Sequence, residues 1–511
     1  MRSGHYSKHA VRASLLHFLF GRSAAAVVAL CLLLILVRAL SGADYGFYIT
    51  LLSLLEVVQI ASSFGLILAA QRYIPELRAA DRNAALRAIV AKLLALRAVT
   101  LAVVLLACFF ASDYIAGFFG VAAQPQIILI YLFIIFFEGL ARYIEVCQDS
   151  LLRQKSSQLA VLLRTSMRLL LLAAMYFSSD DGVVALVHWL WIDLTASVAG
   201  CAYGAASLVR FVSRLPQAAD ETSKSEGKRI FSYVAPAFLA QLLYTSWGPD
   251  SVKLVAARLV GATQVAAFGF AAAFSAMLQR YLPTFLLMNL IRPLFVAARN
   301  REDYQQRLAF MAGLIFKLNA FALAPIGAVL IVTNRPLTDL LTGGKLPEAG
   351  SYLVFFVIVL LLQSLRGVVS LLSQALELGR ASLIGAAAGT LGLGAGALLT
   401  PVVGLAALCL GLVLSEALFV ACQIVAMRGR GVRFPFDAGG MARIVLVACV
   451  ASLAAAFAVS AATALPPAGE VLVGACVCVV VYLALCRLWR PFQPGERELI
   501  NGILKRNVFC W

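Results

Sequence analysis

Long apolar runs separated by short polar breaks occupy most of the chain. They fall near 15–40, 48–70, 88–111, 126–145, 158–178, 183–207, 230–258, 263–290, 308–332, 351–373, 382–400, 402–427, 443–464 and 470–487. A helix needs about 20 apolar residues to cross a hydrocarbon core about 30 Å thick. Backbone groups in lipid need internal partners, and the alternating pattern of a transmembrane barrel strand is absent, so the runs predict fourteen membrane-spanning helices. The basic flank of the first run and the many spans that follow mark it as a retained helix rather than a signal peptide.

Composition agrees with this reading. Of 511 residues, 62% are hydrophobic and 13% charged, where soluble domains carry about 25% charge. Fourteen spans leave only short connections, which excludes a sizeable soluble domain and most extramembrane enzyme classes. In a soluble protein the net charge of +17 would suggest nucleic acid. Here the basic residues sort by loop: with a cytoplasmic N-terminus, 30 of 42 lie in inner segments, four in outer segments (Lys253, Arg258, Arg335, Lys345) and eight within spans. That asymmetry predicts both termini in the cytoplasm and no nucleic-acid partner. Most cysteines lie inside apolar runs and read as small hydrophobes, so no structural disulfide is expected.

The one clearly hydrophilic linker is RFVSRLPQAADETSKSEGKR, from Arg210 to Arg229. It divides the first twelve helices into two sixes. A shift of 220 residues superposes six basic pairs, among them Arg38/Arg258, Arg72/Arg292 and Arg97/Lys317, against about two expected by chance. The expected organisation is therefore an all-α polytopic membrane protein in four parts: a six-helix lobe over 1–207, a cytoplasmic linker over 208–229, a second six-helix lobe over 230–427, and two extra helices with a cytoplasmic tail over 428–511. The lobes form a parallel repeat, with any central site expected at their interface.

Candidate chemistry lies where charge is expensive. Arg38, Lys92, Arg97, Arg164, Arg168, Arg280, Lys317 and Arg366 fall within apolar runs, as do Glu56, Glu138 and Asp193. Each costs about 2.5–3.5 kcal/mol near the bilayer centre unless it finds a partner or water. Counted from the inner ends of their runs, Arg97, Arg168 and Lys317 lie about 15 Å deep. Lys92, Arg164, Arg280 and Arg366 are shallower and within reach of headgroups. The eight basic residues outnumber four acids (the fourth is Glu416), and the excess lies toward the cytoplasmic half. Such an interior suits an anion, and arginine's planar fork suits phosphate. The candidate substrate-binding set is Arg97, Arg168 and Lys317, with Arg164, Arg366, Arg280 and Lys92 around it. Glu56, Glu138, Asp193 and Asp250 are candidate counter-ions or ion-coupling residues, with the counter-ion role favoured.

Prolines at 236, 283 and 325 predict kinked helices. Gly385, Gly389, Gly392 and Gly396 predict close helix packing. No nucleotide-binding phosphate loop occurs, and the four histidines form no metal-ligand pattern, so neither a cofactor nor a metal is expected.

The segments GRSAAAVVALCLLLILVRALSGADYGFY and SFGLILAAQRYIPEL, and Asp250 followed by KLVAARLVGATQVAAFGFA, resemble the polysaccharide transporter branch of the multidrug/oligosaccharidyl-lipid/polysaccharide exporter superfamily. The resemblance covers the first twelve helices. It implies two six-helix bundles around a cationic cavity, in a bacterial inner-membrane flippase for polyprenyl-diphosphate-linked sugar repeat units used in surface or extracellular polysaccharide such as O-antigen. It matches Arg38, Gly42 and Gly46 to the family's first loop and Asp250 to its helix-seven acid. Membrane lipids, and a polysaccharide polymerase with export machinery, are the implied partners. The alternatives are a cation-coupled drug or metabolite antiporter of the same superfamily, and an outer-face glycosyl polymerase or ligase working through Arg335 and Lys345. The transporter readings involve no enzyme activity.

Overall fold

A computed structural model describes residues 8–118, 125–215, 235, 238–285, 304–376, 378–461, 465–504 and 510. All regular secondary structure among them is α-helical. Eleven helices are long and apolar enough to cross a membrane, and the shorter apolar helices Ser23–Ala39 and Gln264–Gln279 accompany them. The linker from Arg210 to Arg229 is helical up to Ser213 and lies outside the described residues from 216 onward. Pro236 also lies outside them.

By its internal contacts the chain forms two units, Met1–Ser246 with Lys253–Val265, and Trp247–Val252 with Ala266–Trp511. The first contains α1 (Lys8–Ala39), α2 (Gly42–Ala61), α3 (Leu66–Ala79), α4 (Asn83–Phe110), α5 (Ser112–Phe118), α6 (Pro125–Ser150), α7 (Gln154–Ser178) and α8 (Leu186–Ser213). Helix α6 is its hub and packs against α2, α3, α4, α7 and α8. Leu66, Ala70 and Ile74 of α3, Leu86 and Val90 of α4, and Ile144 and Cys147 of α6 form its main apolar core.

The apolar run at 48–70 is two helices rather than one. Ser62 to Gly65 break it, with Phe64 and Gly65 in left-handed conformation (φ 44° and 76°). Hydropathy does not register such a break, because its residues remain apolar or small. Two further helices, α9 (Pro249–Leu259) and α10 (Ala262–Gln279), follow the Gly248-Pro249 break.

The second unit is built on the long α11 (Tyr304–Thr342), followed by α12 (Ala349–Ala375), α13 (Gly379–Val403), α14 (Leu405–Arg428), α15 (Ala438–Ala461), α16 (Pro467–Trp489) and α17 (Pro494–Leu504). The two extra helices, α15 and α16, pack on α11. They also repair it. Pro325 has no N–H to give the carbonyl four residues earlier, and the Tyr482 hydroxyl of α16 donates to that carbonyl, Phe321 O, at 3.0 Å. In lipid a freed carbonyl needs such a partner. Ser452 of α15 adds a bond to Ala328 O at 3.1 Å, a carbonyl that neither proline of α11 frees.

The predicted glycine stripe lies on the tight face of α13. A Cβ at Gly392 would sit 2.5 Å from Ser415 N, and one at Gly396 2.8 Å from Ala407 O, both on α14.

Candidate functional site

Two of the arginines predicted inside the first unit, Arg164 and Arg168, converge on one carboxylate. Glu138, on the hub α6, is 3% exposed. Arg142, one turn further along the same helix, donates to it through Nε at 2.9 Å. From α7, Arg168 reaches it at 2.8 Å and Arg164 at 3.4 Å. The 164/168 spacing puts both arginines on one helix face. From α8, the Ser197 hydroxyl donates to it at 3.2 Å.

A second rank of acids surrounds these arginines. Asp193 of α8 lies 2.6 Å from Arg168, and the Tyr48 hydroxyl of α2 lies 3.5 Å from Asp193. Glu145 of α6 holds Arg164 at 3.0 Å. Glu56 of α2 accepts two bonds from Arg142 Nη1, at 2.7 and 2.9 Å. Four helices thus carry three arginines and four carboxylates, a formal charge of −1. Buried charges persist when paired in this way.

The network has a closed end and an open end. Glu138 and Arg164 side chains are 4% and 6% exposed, whereas Arg142 and Glu56 are 38% and 32% exposed. Arg142 stands eight residues before the end of α6, about 12 Å along the helix. An unpaired charge in contact with lipid there would cost about 2.5–3.5 kcal/mol; Arg142 and Glu56 offset that cost by pairing with each other.

Arg97 takes a different place from the one predicted. It is 1% exposed and donates to Ser62 Oγ at 3.0 Å, to Gln59 O at 3.2 Å and to the Gln59 side-chain oxygen. No carboxylate joins it among the described residues. These acceptors sit at the C-terminus of α2, where the helix breaks. A cation there satisfies an end carbonyl and complements the negative end of the helix dipole. The geometry is that of a cap for a helix interrupted at membrane depth.

Lys317 also departs from expectation. Its Nζ lies 2.5 Å from Asp437 and 2.6 Å from Glu496, and it stands 4.9 Å from the Phe492 ring centroid. Asp437 immediately precedes α15 and Glu496 opens α17, so acids from helix ends reach a lysine counted as deep in its run. A cavity of about 190 Å³ adjoins them, lined by Phe316, Phe436 and Gln493 among others. Burial pushes the Asp437 carboxyl up, but bonds from Lys317 and the Gly440 N–H, with the charges of Lys317 and Arg443, outweigh it and hold it below the usual carboxylate range.

The remaining candidates are scattered. Arg366 pairs with the fully buried Glu416 at 3.0 Å. Lys92 and Arg280 are exposed, and Asp250 is half-buried. The expected cationic excess is therefore corrected: Arg164, Arg168, Lys317 and Arg366 each face carboxylates, and Arg97 is held by neutral acceptors. The acids that close this balance, Glu145, Asp437 and Glu496, escaped the sequence reading, as did Arg142, which was counted with the cytoplasmic loop. A signal existed for α6, since 138, 142 and 145 follow the i, i+4, i+7 spacing of one helix face.

Comparison with known proteins adds the family. Residues 13–296 match the family described as polysaccharide biosynthesis protein, while no curated protein sequence matches the chain. Among solved structures the fold is similar to the inward closed conformation of Lipid II flippase MurJ (TM-score 0.68, 11% identity, 94% of this chain and 99% of that one). It is similar also to an inward-facing multidrug resistance MATE family transporter of the MOP superfamily (0.58, 17%, 80% and 94%). A third is the Vibrio cholerae MATE transporter VcmN, solved as a mutant (0.55, 14%, 84% and 100%).

Proposed function

This chain belongs to the polysaccharide biosynthesis protein family, and on that premise we propose that it is a flippase. It moves an anionic polyprenyl-diphosphate-linked oligosaccharide from the inner to the outer leaflet of a bacterial inner membrane by alternating access, for surface or extracellular polysaccharide. The observation that carries the reading is the partly exposed Arg142–Glu56 pair within a membrane-spanning helix bundle. Both Glu56 oxygens accept from one nitrogen of Arg142, Nη1, a charge-assisted position that a phosphate oxygen of the cargo would also fit.

In this mechanism the incoming phosphate replaces Glu56 on Arg142. Glu138 keeps Arg142 in place, and Arg164 and Arg168 hold Glu138 from α7. Asp193 and Glu145 balance the rear of the network, so the site is charged and ordered before cargo arrives. No covalent bond changes, and the step uses no cofactor. The fold shared with MurJ agrees with a lipid-linked cargo.

The test is a deletion strain complemented with Arg142→Gln. Lipid-linked repeat units should accumulate on the cytoplasmic leaflet and surface polysaccharide should fall at least tenfold, with the protein still in the membrane. Normal export by this variant would sink the proposal. A second reading, cation-coupled drug or metabolite antiport, draws on the MATE-like fold and the extra negative charge of the network. It requires drug resistance on expression that Glu56→Gln abolishes while polysaccharide export stays unchanged.

A further inference from the structure

Helices α13 and α14 form an antiparallel hairpin about Gly404, so the start of α13 and the end of α14 lie at the same end. There they flank a cavity of about 660 Å³, lined by Arg380, Ala381, Ile384, Cys422, Val425 and Arg430, with Leu378 and Ala426. Its walls are apolar, and Ile384 and Val425 are 62% and 66% exposed, as expected of residues in contact with acyl chains. Its mouth carries two arginines. Both are exposed, and among the described residues neither forms a side-chain hydrogen bond or ion pair.

Among the described residues, no acid lines the cavity. Helix α13 opens there with no acidic residue in its first turn and no side-chain acceptor at its N-cap, Leu378, so its positive end is also uncompensated. Among the described residues, no side chain neutralises this mouth. A groove with apolar walls and a doubly cationic mouth, at the end of a membrane hairpin, matches a lipid with a negative head. The loop count assigns this end to the cytoplasmic face.

We propose that the α13–α14 groove is a binding site for an anionic phospholipid, whose phosphate is held by Arg380 and Arg430 and whose chains lie along Ile384 and Val425. The site is separate from the Glu138 network and independent of the cargo.

The experiment uses the full chain, purified from bilayers of equal phosphatidylglycerol and phosphatidylcholine, with retained lipid measured by native mass spectrometry. Wild type should retain phosphatidylglycerol over phosphatidylcholine. R380Q/R430Q should lower that retention at least about tenfold, while R380K/R430K keeps most of it. Both variants should remain monodisperse, with an unchanged thermal midpoint in pure phosphatidylcholine. Equal retention by R380Q/R430Q, or no preference for phosphatidylglycerol in wild type, overturns the site. Full displacement by millimolar inorganic phosphate would make it a simple anion site. Displacement by a polyprenyl diphosphate that excess phosphatidylglycerol does not reverse would make it a cargo site. Either outcome overturns the phospholipid assignment.

Discussion

Glu138→Gln is the sharpest test of the charge network. The substitution keeps the shape of the side chain and one oxygen acceptor, but removes the negative charge within 3.4 Å of Arg142, Arg164 and Arg168. Three cations then share Glu56, Glu145 and Asp193. Each arginine keeps one carboxylate, so none is stranded outright and the cost stays below the roughly 3–5 kcal/mol of an unpaired buried charge, at about 1–3 kcal/mol. A unit of about 250 residues loses roughly 2–4 °C per kcal/mol, so its midpoint should fall by roughly 2–12 °C. The protein supplies the reporters, because Cys147 in the first unit and Cys478 and Cys486 in the second are buried free thiols. A thiol-reactive dye applied to single-cysteine versions reads each unit separately, and only the Cys147 signal should shift. Removing a cation as well, in Glu138→Gln with Arg168→Gln, should recover about 0.5–3 kcal/mol relative to additivity. A single variant within about 0.5 kcal/mol of wild type, or a strictly additive pair, would show that Glu138 does not organise the site.

Three further outcomes follow from local geometry. Tyr482→Phe strands the Phe321 carbonyl and should cost about 0.6–1.7 kcal/mol at the Cys478 reporter; adding Pro325→Ala restores the helix's own N–H and should recover most of the loss. Gly392→Ala drives a Cβ against Ser415 N and should lower the yield of folded protein, whereas Gly394→Ala, with open space around the new Cβ, should leave it unchanged. Asp437 is held below its ordinary pKa, so it favours the folded state above about pH 4, its unfolded pKa, and that contribution disappears as pH falls through the folded value. Thermal midpoints should therefore separate wild type from Asp437→Asn at pH 7, and the gap should close on acidification; a gap that is constant with pH would rule out the carboxylate as its source.

The helices were legible in the sequence because the bilayer leaves a chain few options. Any apolar run that crosses it must bond its backbone internally, so length and hydropathy specify an element without tertiary information. The runs at 126–145, 158–178, 402–427 and 443–464 match α6, α7, α14 and α15 to within a few residues. The glycines of α13 were legible for a similar reason, since small residues at helical spacing in an apolar run are positions where another backbone can approach. The break at 62–65 was not, because nothing in its polarity distinguishes it from a helix.

Sequence alone thus determined that this chain is helical, embedded in a membrane, and burdened with charges that need partners. Only the tertiary structure decided who the partners are. Glu138 and Arg168 are 30 residues apart and Lys317 and Glu496 are 179 apart, and whether such groups meet depends on how neighbouring helices are rotated and where their ends fall. Hydropathy carries no term for either. A count of charges along the chain therefore gave a cationic interior, whereas packing produced a nearly balanced network with one partly exposed arginine.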